Sequence, residues 1–397
     1  MQPANTIDTI VTFAREEIPG QLADAATGKR MRRVTIDLNL ERDQIKSKEK
    51  RPSAQRYDSR GGFRKVTGNL KVEVAPGDQI DIFESSLRST MVAGKDSGNV
   101  VLTAAADGVS RADGSFAALF EPGAVVRFTG FTGNAVANNG KNFLVTERTA
   151  LKLFGSFVNG DVTVPGNAAV GTVKEHGGVC EMLTEGHIDT SYTVQILYPS
   201  TGIRKLATGV CVGDLSISLS PEGLLEMDVK LLGIDMKTEI AESYFTDDEP
   251  IGTGLALAPV SGALYIGGLR NTDMTSMQLA VTNSLSSFPV VGLNHAKHVF
   301  RGVREVTGSF TEIPTDIRAV KFFEDEVDTT AYGVFTTSPD KAADYVALAM
   351  GRAKFLTSSD DDGDTTPMRE VNFEGLEGNN PLLSKSALTI RDSRWTV

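Results

Sequence analysis

Residues 303–310 read "VREVTGSF", and residues 63–70 read "FRKVTGNL". A chain that carries one unit twice has few folds open to it, because both copies must find the same strands and helix. At a fixed offset of 240, Arg64 meets Arg304, Val66-Thr67-Gly68 meets Val306-Thr307-Gly308, and Leu70 meets Phe310. The match continues without a gap: Ile80, Phe83 and Leu87 fall on Val320, Phe323 and Val327, and Glu84 on Glu324. The i, i+3, i+7 spacing marks one face of a helix in both copies. Each helix has a start signal, Asp78 in "PGD" and Thr315 or Asp316 in "PTD", residue types that cap helix N-termini. A duplicated core follows: Val66, Gly68, Phe83 and Leu87 in one copy, Val306, Gly308, Phe323 and Val327 in the other.

Upstream, Val34, Ile36, Leu38 and Leu40 alternate as in a half-buried strand. Met277, Leu279 and Val281 alternate near the equivalent place. A second block also recurs. "VGDLSISLSPEGLLEMDVKLLG" (212–233) resembles "GRAKFLTSSDDDGDTTPMREVNFEG" (351–375), each a strand, a polar turn and a strand, with Gly223 and Gly363 in the turns at an offset of 140. The two offsets differ by 100, so copy one holds that many extra residues between helix and hairpin. They fall near 92–186, where "NVVLTA", "AVVRFTGF" and "NFLVTER" are separated by Gly, Asn and Asp turns, the pattern of a small all-β domain. The ends of such an insert should lie close together. The expected organisation is unit A at 1–91 and 187–240, an inserted all-β domain at 92–186 that projects outward and is dispensable, and unit B at 241–397. The fold class is mainly β with a few short helices, a barrel-forming sheet plus helix used twice.

Between the first strand of unit A and its VTG strand lies "ERDQIKSKEKRPSAQRYDSRGGFR" (41–64), with eight basic and four acidic residues. It is too polar to pack by itself. It is either a solvated mobile loop or an arm that orders against an acidic surface of another subunit, through Arg42, Lys46, Lys48, Lys50, Arg51, Arg56 and Arg60. The equivalent segment of unit B, 282–304, contains "FPVVGL". Phe288, Pro289, Val290 and Val291 at an exposed tip would mark a partner contact.

The chain has 397 residues, enough for two or three domains. No apolar window is long enough for a membrane span, and the start lacks a basic region followed by an apolar core, so no secretory signal is expected. Two cysteines, Cys180 and Cys211, are too few for a disulfide framework and read as reduced thiols. A net charge of −11 argues against gripping nucleic acid; it leaves room for nucleic acid that passes without sticking.

Catalytic motifs fail one by one. A duplicated aspartic protease needs an Asp-Thr/Ser-Gly in each half; Asp96-Ser97-Gly98 occurs once, and the position 240 later is Thr336. Around Gly140-Lys141 a phosphate loop would need Gly where Ala135 stands and Ser or Thr where Asn142 stands; an Asn-Asn-Gly hairpin turn is the simpler reading. "SDDDGDTT" (359–366) lacks the distal Glu of a calcium loop and reads as a solvated hairpin tip. His295 and His298 have no nearby Cys for a metal site, and His176 and His187 stand apart. No G-x-S-x-G elbow occurs. No enzyme activity, metal or cofactor is expected.

These residues resemble a family. "FRKVTGNLKVEV" followed by "QIDIFESSL", then "SYTVQILYPSTGIRKLATGVCVGDLSISLSPEGLLEMDVKLLGID", and the repeat of the scheme with "VREVTGSF" are similar to the major tail tube proteins of long-tailed bacteriophages. The insert, with "AVVRFTGFTGNAVANNGKNFLVTERTALKLF", looks like the small β domain of some members. The resemblance implies a structural virion protein, made and assembled in the host cytoplasm, whose units form rings that stack into a hollow tube conducting DNA. A chain with two fused units would close the ring as a homotrimer. Implied partners are further copies of itself, a tape-measure protein, tail terminator and distal tail proteins, and double-stranded DNA in transit; no membrane binding is implied. The basic arm would make ring-to-ring contact. A distal-tail or baseplate protein of the same fold is the nearest alternative. A virion-surface carbohydrate-binding protein is disfavoured by a single tryptophan, Trp395.

Overall fold

The computed structural model describes residues 7–53, 55, 57–340, 342–361, 366–380 and 383–396. In chain order, β1 (Ile10–Arg15), β2 (Lys29–Arg30), β3 (Thr35–Lys46) and β4 (Ser59–Glu73) lead to helix α1 (Ile80–Leu87) and β5 (Val92–Ala93). Seven strands follow: β6 (Val100–Ala105), β7 (Gly108–Arg111), β8 (Val125–Phe128), β9 (Phe143–Arg148), β10 (Lys152–Phe157), β11 (Gly166–Gly171) and β12 (Val173–Glu175). Then come β13 (Gly178–Glu181), β14 (Tyr192–Tyr198), β15 (Ile203–Leu219), β16 (Glu226–Gly233) and β17 (Asp235–Ile240). The rest comprises β18 (Ala263–Ile266), β19 (Leu269–Asn271), β20 (Met274–Thr282), β21 (Ser286–Ser287), β22 (Val299–Phe300), β23 (Glu305–Glu312), helix α2 (Arg318–Glu324), β24 (Thr329–Thr336), β25 (Tyr345–Asp361), β26 (Met368–Gly375) and β27 (Thr389–Asp392). The fold is mainly β with short helices, as the alternating apolar pattern requires.

Two sets of ladders have like connections. In the first, β1 pairs with β2 and β14, β14 with β15, β15 with β17 and β16, β16 with β4, and β4 with β3. In the second, β18 pairs with β19 and β24, β24 with β25, β25 with β27 and β26, β26 with β23, and β23 with β20. β15 and β25 are both 17 residues long, and β16 and β26 both 8. The register of β14 on β15 shifts between Tyr192 and Val194, and that of β24 on β25 between Thr329 and Ala331. Bulges of this kind bend a strand and increase its twist. Each long strand therefore serves two faces: its first half pairs with one set of neighbours, and its second half, past a further bulge, with another.

The two sets are joined edge to edge. The far half of β15 pairs with β20, from Leu215↔Val281 to Leu219↔Met277. The result is one antiparallel run of eight strands, β3-β4-β16-β15-β20-β23-β26-β25. Within it the VTG strands stand at matching places. Gly68 lies between Leu38 and Leu231, and Gly308 between Leu279 and Phe373. A Cβ on Gly68 would sit 2.0 Å from the Asp37 carbonyl oxygen, and one on Gly308 2.3 Å from the Phe373 ring. Gly68→Ala is expected to lower stability by about 1–3 kcal/mol through overpacking; a shift in the urea midpoint with unchanged slope would show it.

One face of the run is apolar and closes over α1. Val66, Leu70, Phe83, Leu87, Leu215, Leu279, Val281 and Val306 are all buried there. The helix is capped differently from the sequence expectation. Asp78 pairs with Arg32 at 3.1 Å, and Gln79 takes the cap position, its side chain bridging the Ala75 N–H and the Glu73 carbonyl. In the second helix Ile317, not Thr315 or Asp316, takes the cap position, and Asp316 just before it accepts the Arg318 N–H at 2.9 Å.

The second half of the expected duplicated core needs correction. Phe323 is 37 % exposed and Val327 is 45 % exposed, whereas Phe83 and Leu87 are at 0 %. Ala319 is buried and Phe322 packs on the core in their stead. The reason is cover. Asn283 donates to the Ser86 carbonyl and Arg304 to the Leu87 carbonyl, so the 282–304 segment closes the outer side of α1.

β6 to β12 form a separate seven-stranded sheet around Phe116, Phe120, Phe128, Phe143 and Phe157. The excursion is shorter than 92–186, since β5 and β13 pair with each other and β13 pairs with β27. Nor does it stand clear of the rest. Val125, Leu144 and Val158 share an apolar cluster with Tyr265, Tyr332, Val334 and Tyr345. Asn142 donates to the Ala343 carbonyl, and Ser156 meets the Tyr265 hydroxyl at 2.9 Å. Its removal would strip an apolar layer from β18, β24 and β25, so the insert is not the free-standing unit expected from the sequence. The Asn-Asn-Gly hairpin turn is also replaced: residues 133–138 form a 3₁₀ turn, Gly140 follows at φ +73°, and Lys141 pairs with Asp161 at 2.9 Å.

Candidate assembly surfaces

The other face of the eight-stranded run is polar because each strand alternates. β3 presents Asp37, Asn39 and Glu41; β4 presents Lys65, Thr67, Asn69 and Lys71; β16 presents Glu226, Asp228 and Lys230. β15 adds Ser216 and Ser218, β20 Gln278, β23 Glu305, Thr307 and Ser309, and β26 Glu370, Asn372 and Glu374. Carboxylates outnumber lysines across this face. Its lysines are held by partners: Lys71 by Glu226 at 2.8 Å, Lys230 by Asp214 at 3.0 Å, and Lys65 by Glu41 at 3.5 Å. Hydrogen bonds tie neighbouring strands, Thr67 to Glu41 at 2.7 Å, Gln278 to Ser216 at 3.0 Å and Asn372 to Thr357 at 2.8 Å. What remains is a hydroxyl-, amide- and carboxylate-rich surface with its cations neutralised. Dense phosphate charge finds few free partners on it.

The basic segment is a strand over half of its length. β3 and β4 pair from Thr35↔Lys71 to Lys46↔Ser59, so Arg42, Lys46 and Arg60 lie on a long hairpin and only 47–58 forms its tip. The backbone ladder supplies the order that the polar side chains cannot. Lys46, Lys48 and Lys50 are exposed. Arg51 pairs with Glu49 at 3.3 Å and lies 3.2 Å over the Tyr57 ring; Arg60 pairs with Asp58 at 2.9 Å. Arg56 lies outside the described residues.

At 282–304 a two-residue ladder, β21–β22, closes a loop whose apolar tip is bare. Phe288, Pro289, Val290 and Val291 are all exposed, Val291 fully, and Phe288 stacks 5.7 Å from Phe300. The base of this loop meets the arm, where the Arg64 N–H donates to the Asn294 carbonyl at 2.9 Å. It also holds a cluster that the sequence did not suggest. Asp189 pairs with Arg88 at 2.7 Å and Arg301 at 2.8 Å. Burial opposes ionisation of Asp189, but hydrogen bonds from Arg88 and Arg301 outweigh it and hold the carboxyl below its usual range. Arg301 has no counterpart 240 positions earlier, where Gly61 stands, so the repeat gave no signal for it.

Among the described residues no three of His, Cys, Asp or Glu come together as metal ligands. Cys180 and Cys211 are free and buried, and burial pushes the Cys180 thiol up to about 12. Of the "SDDDGDTT" tip, 362–365 lie outside the described residues.

A doubled set of ladders, an apolar sheet face covered by a helix, and a polar sheet face mark a mainly-β protein built on sheet surfaces and edges, with no catalytic cluster among its described residues. The family model described as phage tail tube protein matches residues 6–312. The chain therefore belongs to the phage tail tube protein family, whose members are structural parts of the virion tail. No curated protein matches it.

Proposed function

We propose that three copies of this chain close into a ring of six like units and that the rings stack into a tube through which double-stranded DNA passes. The ladders described above support two fused units, the first at 1–93 and 178–240, with β5 and β13 added to the expected 1–91 and 187–240, and the second at 241–397. The observation that carries the reading is the run of eight strands with two unpaired edges, β3 and the far half of β25. An unpaired edge is a template for another strand, and closure into a barrel removes it. Three such runs supply twenty-four strands. At about 4.8 Å per strand the wall would measure roughly 115 Å around before strand tilt enlarges it, a bore wider than a DNA duplex. The polar face with its neutralised lysines suits the inner wall, since the helices and the inserted sheet cover the other side.

In this reading the basic hairpin contacts the adjacent ring, and the 288–291 tip meets a neighbouring subunit. Tail terminator, distal tail and tape-measure proteins meet the tube's ends and bore. Negative-stain electron microscopy of the purified chain tests the proposal. Uniform tubes with three outer protrusions per ring are expected. Single closed rings that never stack would favour a distal-tail role, and monomers at all concentrations would overturn ring formation.

A further inference from the structure

The chain contains one copy of a junction that a ring needs at every second position, and its parts can be read residue by residue. Resting on the ring proposal, we propose that the far half of β25 pairs with β3 of a second copy in the register that β15 and β20 adopt within one chain.

Three differences between like positions point there. Among the described residues, the far half of β15 pairs on both sides, with β16 and β20, whereas that of β25 pairs with β26 alone. β20 pairs on both sides, with β23 and β15, whereas β3 pairs with β4 alone. Burial follows the same division. Val281, opposite Val306, is at 0 % exposure; Leu40, opposite Val66, is at 37 %. Phe83 and Leu87 are covered while Phe323 and Val327, 240 positions later, are bare. In each pair the exposed member lies where a neighbouring unit would sit, the preceding one for Leu40 and the following one for Phe323 and Val327. The occupant is a second copy, because this chain already covers the equivalent positions with its own second half.

The register transfers through shared partners. Leu215 stands opposite Val229 as Ser358 stands opposite Val371. With Phe310 opposite Val371 and Leu70 opposite Val229, the two frames coincide. The pairs Leu215↔Val281, Ser216↔Ala280 and Ile217↔Leu279 become Ser358↔Leu40, Ser359↔Asn39 and Asp360↔Leu38. Asp360 arrives already paired with Arg369 at 2.8 Å, so no bare carboxylate is buried against Leu38.

Directly opposed residues in antiparallel strands have Cα atoms about 4.5–5.5 Å apart, within disulfide reach. The full-length double variant Ser359→Cys with Asn39→Cys is expected to give interchain cross-links under mild oxidation, ending in a trimer on non-reducing gels. Ser216→Cys with Ala280→Cys should cross-link within the chain only. Ser359→Cys with Leu38→Cys, one residue out of register and on the opposite face, should not cross-link. Assembled rings in which the shifted pair cross-links instead would overturn the register and leave the ring standing; monomers under every condition would overturn both. A second variant, Phe323→Asp with Val327→Asp, is expected to keep the parent's melting temperature, since both residues are exposed in the subunit, and to lose assembly at concentrations where the parent is fully assembled. Assembly at the parent's concentration would count against the junction.

Discussion

Replacing residues 42–60 with a two-residue Asn-Gly turn is expected to leave single rings and abolish tubes. The deletion spares Thr35–Glu41 of β3, and with it the pairs Ile36↔Leu70 to Glu41↔Lys65 that hold the strand on β4. It removes a hairpin end whose described side-chain contacts are local and exposed, Arg51 with Glu49 and Arg60 with Asp58. Such pairs are worth about 0–1 kcal/mol, so the subunit's own stability should change little. The loss falls on whatever the exposed Lys46, Lys48 and Lys50 meet. Sedimentation and negative-stain images would report it, as one ring-sized species in place of long tubes. High salt should weaken stacking of the intact chain in the same direction, because exposed charges are screened. Tubes of parental length from the deletion variant would remove the hairpin from any role in stacking.

A second large effect is expected at Arg391. Its Nε donates to Glu175 at 2.6 Å, and both side chains are almost fully buried, 3 % and 5 % exposed. Glu175 ends β12 of the seven-stranded sheet, and Arg391 lies in β27, which pairs with β25 and β13. The pair thus fastens the inserted sheet to the C-terminal strand. Removing one partner leaves a charge in a medium that cannot solvate it. Arg391→Met or Glu175→Leu alone should each cost about 3–5 kcal/mol. The two together should recover much of that loss, since an apolar pair of similar volume needs no counter-charge. Urea denaturation of the three variants decides the matter. Single variants within about 1 kcal/mol of the parent would show that water or another group reaches the site.

The strands of the eight-stranded run were legible because each alternates a buried with an open residue. Val66-Thr67-Gly68 and Val306-Thr307-Gly308 sit at like places between like neighbours, and the position of α1 followed from Ile80, Phe83 and Leu87. What periodicity could not reveal was the cover on each face. Phe323 and Val327 have the spacing of core residues, yet the subunit leaves them 37 % and 45 % exposed. Val125, Leu144 and Val158 read as ordinary strand residues of a free domain, yet they close over Tyr332 and Tyr345. The arm misled for a related reason: its side chains are too polar to fold a segment, but the backbone ladder from Arg42↔Arg64 to Lys46↔Ser59 does not depend on them. The Glu175–Arg391 pair spans 216 positions and carries no local mark.

The β15–β20 ladder has a consequence for how such a cylinder comes together. In the ring proposed above, half of the seams would be completed when a polypeptide folds, at a strength that dilution cannot alter, and only the alternate seams would answer to mass action. Dissociation should therefore begin at every other seam and release whole chains, and fewer encounters are needed to shut the circle than for a subunit carrying a single unit.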